Sequence, residues 1–145
     1  MVLFKTSTFV ILLACEVTTV SGPRILQAAG TTASLAWNIH RPYNFILNSV
    51  ECYRTKTIGG LRTTIAKLQP DHTFGKTARI ERNSRIVVQK TGERYTITIN
   101  NLKEIDAATY SCFVTCISGK PFYYEEQLKL IVEGEGRNYY YFELL

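Results

Sequence analysis

The residues of this chain with the most chemistry in them are four cysteines, Cys15, Cys52, Cys112 and Cys116, and two histidines, His40 and His72. Thiolates and imidazoles hold zinc when the ligands come in short pairs. No Cys-x-x-Cys occurs here, and both histidines lie far in sequence from Cys112 and Cys116, so no metal is expected. Catalytic signatures are missing too: there is no Gly-x-Ser-x-Gly, His-Glu-x-x-His, phosphate-binding loop or Gly-x-Gly-x-x-Gly. The carboxylates are scattered and give no convergent acid–base pair. No catalytic residue and no cofactor are therefore assigned. The chemistry left to the cysteines is disulfide formation, which needs an oxidising compartment. Cys112 and Cys116 cannot bond each other along one extended strand, where four residues span about 13 Å.

The N-terminus supplies the route to such a compartment. Lys5 gives a basic start, Phe9 to Cys15 (FVILLAC) an apolar run too short to span a bilayer, and Ser21-Gly22 small residues for cleavage. This pattern predicts a signal peptide over residues 1–21, a domain over 22–132 and a linker or tail over 133–145. Cys15 leaves with the leader in this reading, and Cys116 becomes the odd cysteine. Four fates stay open for it: displacing Cys112 as a partner, cross-linking two chains, pairing with a downstream domain, or a capped or free thiol. The tail runs EGEGRN then YYYFELL, and no second apolar segment reaches membrane length. The expected location is secreted, or the outer face of the plasma membrane if an anchor lies downstream. The formal net charge of +5 is dispersed without a dense basic run, so nucleic acid is not an expected partner.

The elements that must position these residues are strands. Hydrophobic content of 46% against 20% charged supports one packed core, and no long stretch has helical periodicity. Alternation predicts strands at Thr32–Ile39, with Ala33, Leu35, Trp37 and Ile39 on one face, and at Ile46–Thr55, with a bulge near Ser49. Leu61–Leu68 follows the Gly59-Gly60 turn, and Pro70–Gly75 is a loop or short edge. Arg85–Gln89 and the run from Tyr95 to Ile99 flank a Thr91-Gly92 turn. Ala108–Cys116 and Gln127–Val132 are separated by a turn region at Ser118–Pro121.

The stretch Tyr95–Cys112, YTITINNLKEIDAATYSC, resembles strands E and F of an immunoglobulin domain. Tyr110 stands two residues before Cys112, as in the tyrosine corner of that family. The resemblance implies an all-β fold, an immunoglobulin-like V-type two-sheet Greek-key sandwich. It also exposes a departure. Strand B of the family carries a Cys and strand C a Trp; here the strand B position holds Trp37, and strand C reads Cys52-Tyr53-Arg54. The V-type register places Cys52 across from Cys112, which implies a bridge within one sheet worth about 4 kcal/mol in the chain-entropy model. Trp37 is then expected to fill the inter-sheet space. The resemblance further implies a structural ion pair between Asp106 and Arg85, with Arg82 as the fallback.

In V-type domains the outer face of strands G, F, C and C′ commonly meets a partner. Strand parity puts Tyr53, Phe113 and Thr115 on that face, near Glu51 and Arg62, and the F–G segment adds Phe122 and Tyr123. Aromatic residues among charges are a typical interface composition. The implied function is an extracellular recognition module for cell–cell adhesion or self/non-self recognition. Its partner would be a protein, either an identical domain or a related one. Cysteines in C and F with none in B are similar to immunoglobulin domains of invertebrate allorecognition receptors, which implies homophilic binding. The alternative is a soluble secreted immune-modulating ligand or decoy.

Overall fold

A computed structural model describes residues 14–56 and 60–134. Gly59, most of the apolar N-terminal run and the YYYFELL end lie outside the described residues. Among the described residues, ten strands form two layers. One layer orders β1 (Glu16–Thr19), β3 (Ala33–His40), β8 (Arg94–Ile99) and β7 (Ile86–Thr91). The other orders β2 (Arg24–Ala28), β10 (Lys120–Glu133), β9 (Ala108–Ser118), β4 (Ile46–Thr55), β5 (Arg62–Leu68) and β6 (Phe74–Lys76). Every pairing is antiparallel except β10 with β2.

Alternation builds the core, because successive strand side chains point to opposite faces. Leu35, Trp37 and Ile39 of β3 and Tyr95, Ile97 and Ile99 of β8 meet Val50 and Cys52 of β4. Tyr110, Cys112 and Val114 of β9 and Leu128 and Leu130 of β10 close the same core. Trp37 has no exposed surface, and its indole N–H donates to the Glu126 carbonyl of the opposite layer (3.1 Å). A buried indole needs such a partner.

Two differences from the sequence reading have physical causes. Residues 16–19, assigned above to the leader, form β1 and pair with His40 to Trp37 of β3. Strand β10 begins at Lys120, since Gly119 at φ +80° turns the chain in one residue and lets β9 and β10 pair from Ser118–Lys120 onward. Pro121 is tolerated inside a strand because β2 pairs only with Lys129–Glu133, leaving the first half of β10 as a sheet edge. The segment expected as a loop or short edge supplies the edge strand β6 at its end, with Phe74 buried edge-on against Tyr95 (centroids 5.1 Å).

Both cross-links are disulfides. Cys52–Cys112 joins directly opposed residues of β4 and β9 in one layer (Cα–Cα 4.0 Å). Cys116 bonds Cys15 (Cα–Cα 6.7 Å), a partner outside the four fates above, because that reading removed Cys15 with the leader. No cysteine among the described residues is free. Cys15 runs into β1, and Cys116 lies in β9, so this second bond ties one layer to the other.

The corner before β9 is held by hydrogen bonds. The Tyr110 hydroxyl donates to the Asp106 carbonyl (2.6 Å). Arg85 grips the Asp106 carboxylate through both nitrogens (2.7 and 3.1 Å), and the Lys103 amide donates to it at 2.8 Å. Burial would raise the Asp106 carboxyl; the Arg85 and Lys103 hydrogen bonds and the Arg85 charge outweigh it and hold the group below the usual carboxylate range. Arg82 plays no part in this grip.

Candidate binding face

The outer face of the six-stranded layer is built by β5, β4, β9 and β10. Register sets its cross-strand rows. Ser49, Thr115 and Tyr123 form one row; Glu51, Phe113 and Glu125 the next; Tyr53, Ser111 and Gln127 the third. Residues directly opposed on one face interact, so these rows are the unit of the surface.

A chain of charged and polar contacts runs across the middle of the face. The Arg62 guanidinium lies over the Tyr53 ring (5.0 Å to its centroid) and reaches the Glu125 carboxylate at 3.1 Å. It thereby crosses from β5 over β4 and β9 to β10. The Tyr53 hydroxyl donates to Glu51 (2.9 Å), and Lys67 stands 3.7 Å from the same carboxylate. Burial raises the Tyr53 phenol, and the Glu51 hydrogen bond and charge raise it further, so the donor stays protonated at neutral pH. Pairs this exposed add little to stability. Their effect is to fix the Arg62 and Tyr53 side chains on the face.

Phe113 and Tyr123 stack next to these contacts (centroids 6.0 Å, interplanar angle 14°). Tyr123 is 61% exposed, whereas Thr115 is covered and serves as the floor between them. The structure therefore brings Glu51, Tyr53, Arg62, Phe113, Thr115 and Tyr123 together on one surface. Phe122 is not with them. It opposes Cys116, points to the core side and packs on Phe45 (5.6 Å) at the end of the sandwich. The one-residue turn at Gly119 sets this parity, and the longer F–G loop expected from sequence hid it.

Sequence reasoning missed the apolar end of the face. The bulge between Leu47 and Ser49 reverses parity along β4, so Ile46 sits opposite Ile117 on the outer side while Leu47 turns to the core. Ile46 is 65% exposed, and Pro121 pairs with Ile117 from the other side. The signal was available: a bulge near Ser49 implies this reversal for every residue before it.

Other concavities offer less. A groove of about 370 Å³ at the sandwich end is lined by Ile39, Leu47, Leu68 and Tyr95 and rimmed by Arg41, His72, Lys90 and Glu93. Its rim carboxylate is taken by His40 (Nδ1–Oε1 2.9 Å), and burial pushes the Tyr95 phenol up to about 12, far too high for a nucleophile at neutral pH. Among the described residues no three His, Cys, Asp or Glu side chains converge as a metal site.

No family model matches the chain, and no curated protein matches its sequence. Solved structures do match its shape. Murine CRIg superposes with a TM-score of 0.67 at 15% identity, covering 82% of this chain and 98% of that one. A chain from a structural study of T cell specificity and activation by the bacterial superantigen toxic shock syndrome toxin-1 superposes with a TM-score of 0.63 at 12% identity, covering 82% and 99%. At such identities the likeness speaks for the fold alone, and with the two layers and their strand order it makes this chain an immunoglobulin-like sandwich of the V type.

Proposed function

We propose that this domain is an extracellular protein-recognition module that binds through the outer face of β4, β5, β9 and β10, in cell–cell adhesion or self/non-self recognition. The observation that carries the reading is the surface centred on Tyr53, Phe113 and Tyr123. Its aromatics are fixed in place, and its charges are already partnered within the chain. A partner covering it meets anchored rings and Ile46, without leaving an unpaired charge behind. Two disulfides fit an extracellular or secreted domain, reached by way of a cleaved leader. Among the described residues no helix is long and apolar enough to cross a membrane. The groove and the side-chain clusters support binding over catalysis.

The finer reading is homophilic: the partner is an identical or related immunoglobulin-like domain. Its support is the cysteine pattern, with one pair in strands C and F and none in B, together with a face whose charge is balanced in itself. Beads coated with the domain test it. Self-clustering of wild-type beads, lost in a folded Tyr53→Ala, Phe113→Ala variant, supports both the partner and the face. Clustering that survives the double substitution rejects the face. Wild-type beads that stay dispersed reject homophily and favour a soluble secreted ligand or decoy.

A further inference from the structure

We propose that the leader is cut at or before Ala14, so that the secreted chain keeps Cys15, strand β1 and the Cys15–Cys116 bond. This rests on the secretion reading above and fixes a processing boundary within it.

The small residues Ser21-Gly22 place the cut seven residues further on, and the fold argues against that position at each level. Cys15 is 3% exposed and Cys116 not exposed at all. Removing Cys15 would leave Cys116 as a lone buried thiol in an oxidising compartment. Residues 16–19 pair with four residues of β3, and the Val20 amide donates to the Ala36 carbonyl (2.9 Å). Without them β3 becomes a bare sheet edge at Trp37 and Ile39, the centre of the core, and an unpaired edge is a template for aggregation. Val17 packs against that core as well.

Cys52–Cys112 lies wholly within the six-stranded layer, so it does not hold the two layers together. Cys15–Cys116 does, and a cut after Ser21 removes the one disulfide between layers among the described residues. Ala14 is a small residue at the end of the apolar run, directly before Cys15, and supplies the small side chain that a cut there needs. A cut after Ser21 costs a strand and a cross-link, whereas a cut at Ala14 keeps both.

Secretion of the full chain from cultured animal cells, followed by N-terminal sequencing and non-reducing peptide mapping, tests the boundary. The expected product starts at Cys15 or slightly upstream, has lost Met1, and yields a Cys15 peptide linked to the Cys116 peptide. Ser21→Tyr, which blocks a cut after residue 21, is expected to leave start site and yield unchanged. A product starting at Gly22 with Cys116 free or capped overturns this proposal and leaves secretion standing. A chain that keeps Met1 or stays inside the cell overturns both.

Discussion

At the scale of single residues, the stability of the corner before β9 depends on one buried charge. Asp106 is 1% exposed, and Arg85 supplies its counter-charge. Arg85→Ala leaves a carboxylate buried without its partner and is expected to cost about 3–5 kcal/mol in urea unfolding at pH 7. The pH dependence has a definite sign. The Asp106 carboxyl is lower in the folded chain than in the unfolded one, so its contribution is complete above the unfolded value of about 4. It is lost as pH falls through the folded value. Wild type and Asp106→Asn should therefore differ most near neutrality and converge under strongly acidic conditions; a gap that widens on acidification would refute this assignment. Tyr110→Phe removes only the hydroxyl that donates to the Asp106 carbonyl, and the expected loss is smaller, about 1–3 kcal/mol. The Tyr110 corner was legible from the order Asp106-x-x-x-Tyr110-x-Cys112, whereas the Arg85–Asp106 pair followed only from the resemblance to the immunoglobulin family, with Arg82 left as the fallback. Cys15 was not legible in the same way, since apolar residues before a small-residue cut site read as a leader whether or not the last of them belongs to the fold.

At the scale of elements, strands with strict alternation were read closely and irregular ones were not. Strand β4 spans Ile46–Thr55 as its pattern indicates, and β3 and β8 shift by only a residue or so. The errors fall where something interrupts period two. Pro121 disguised the start of β10, since proline usually argues against a strand, and only the free edge of the sheet explains its tolerance. The bulge at Asn48 moved Ile46 to the outer face. The short hairpin turn at Gly119 put Tyr123 outward and Phe122 inward, splitting an aromatic pair that sequence placed together. This split is testable by stability alone. Phe122→Ala empties a contact with Phe45 at the core end and should destabilise by about 2–3 kcal/mol, somewhat below a fully buried Phe because Phe122 keeps some exposure. Tyr123→Ala should change unfolding free energy by less than about 1 kcal/mol, since the ring lies mostly in solvent and loses chiefly its stacking on Phe113. If the two losses come out reversed in urea melts, the β9–β10 register is wrong by one residue.

At the scale of the whole molecule, the sandwich has a tryptophan at its centre, one disulfide within a layer and one between layers. Trp37 takes the middle of the inter-sheet space and bonds to the far layer through its indole, a contact that packs and orients but does not cross-link. The covalent work is divided: Cys52–Cys112 stiffens one layer, and Cys15–Cys116 fastens β1 to it. The two loops are nested, so their effects are not simply the sum of two isolated bridges. With Cys52–Cys112 closed, the outer bond constrains only about 40 further residues, which brings its chain-entropy contribution from about 4.7 down to about 4 kcal/mol. Cys52–Cys112 supplies about 4 kcal/mol and Cys15–Cys116 about 4 more once the first is closed, together about 8, a large share of the roughly 5–15 kcal/mol that folded domains possess. Chains with either pair replaced by alanine should remain folded, with lowered urea midpoints and unchanged β-rich circular dichroism at 25 °C. The chain lacking both pairs should be largely unfolded at 37 °C, and strong reductant should bring wild type to the same state. A chain without any cysteine that still melted cooperatively near the wild-type temperature would show that packing around Trp37 suffices by itself, and the reason for placing this fold in an oxidising compartment would go with it.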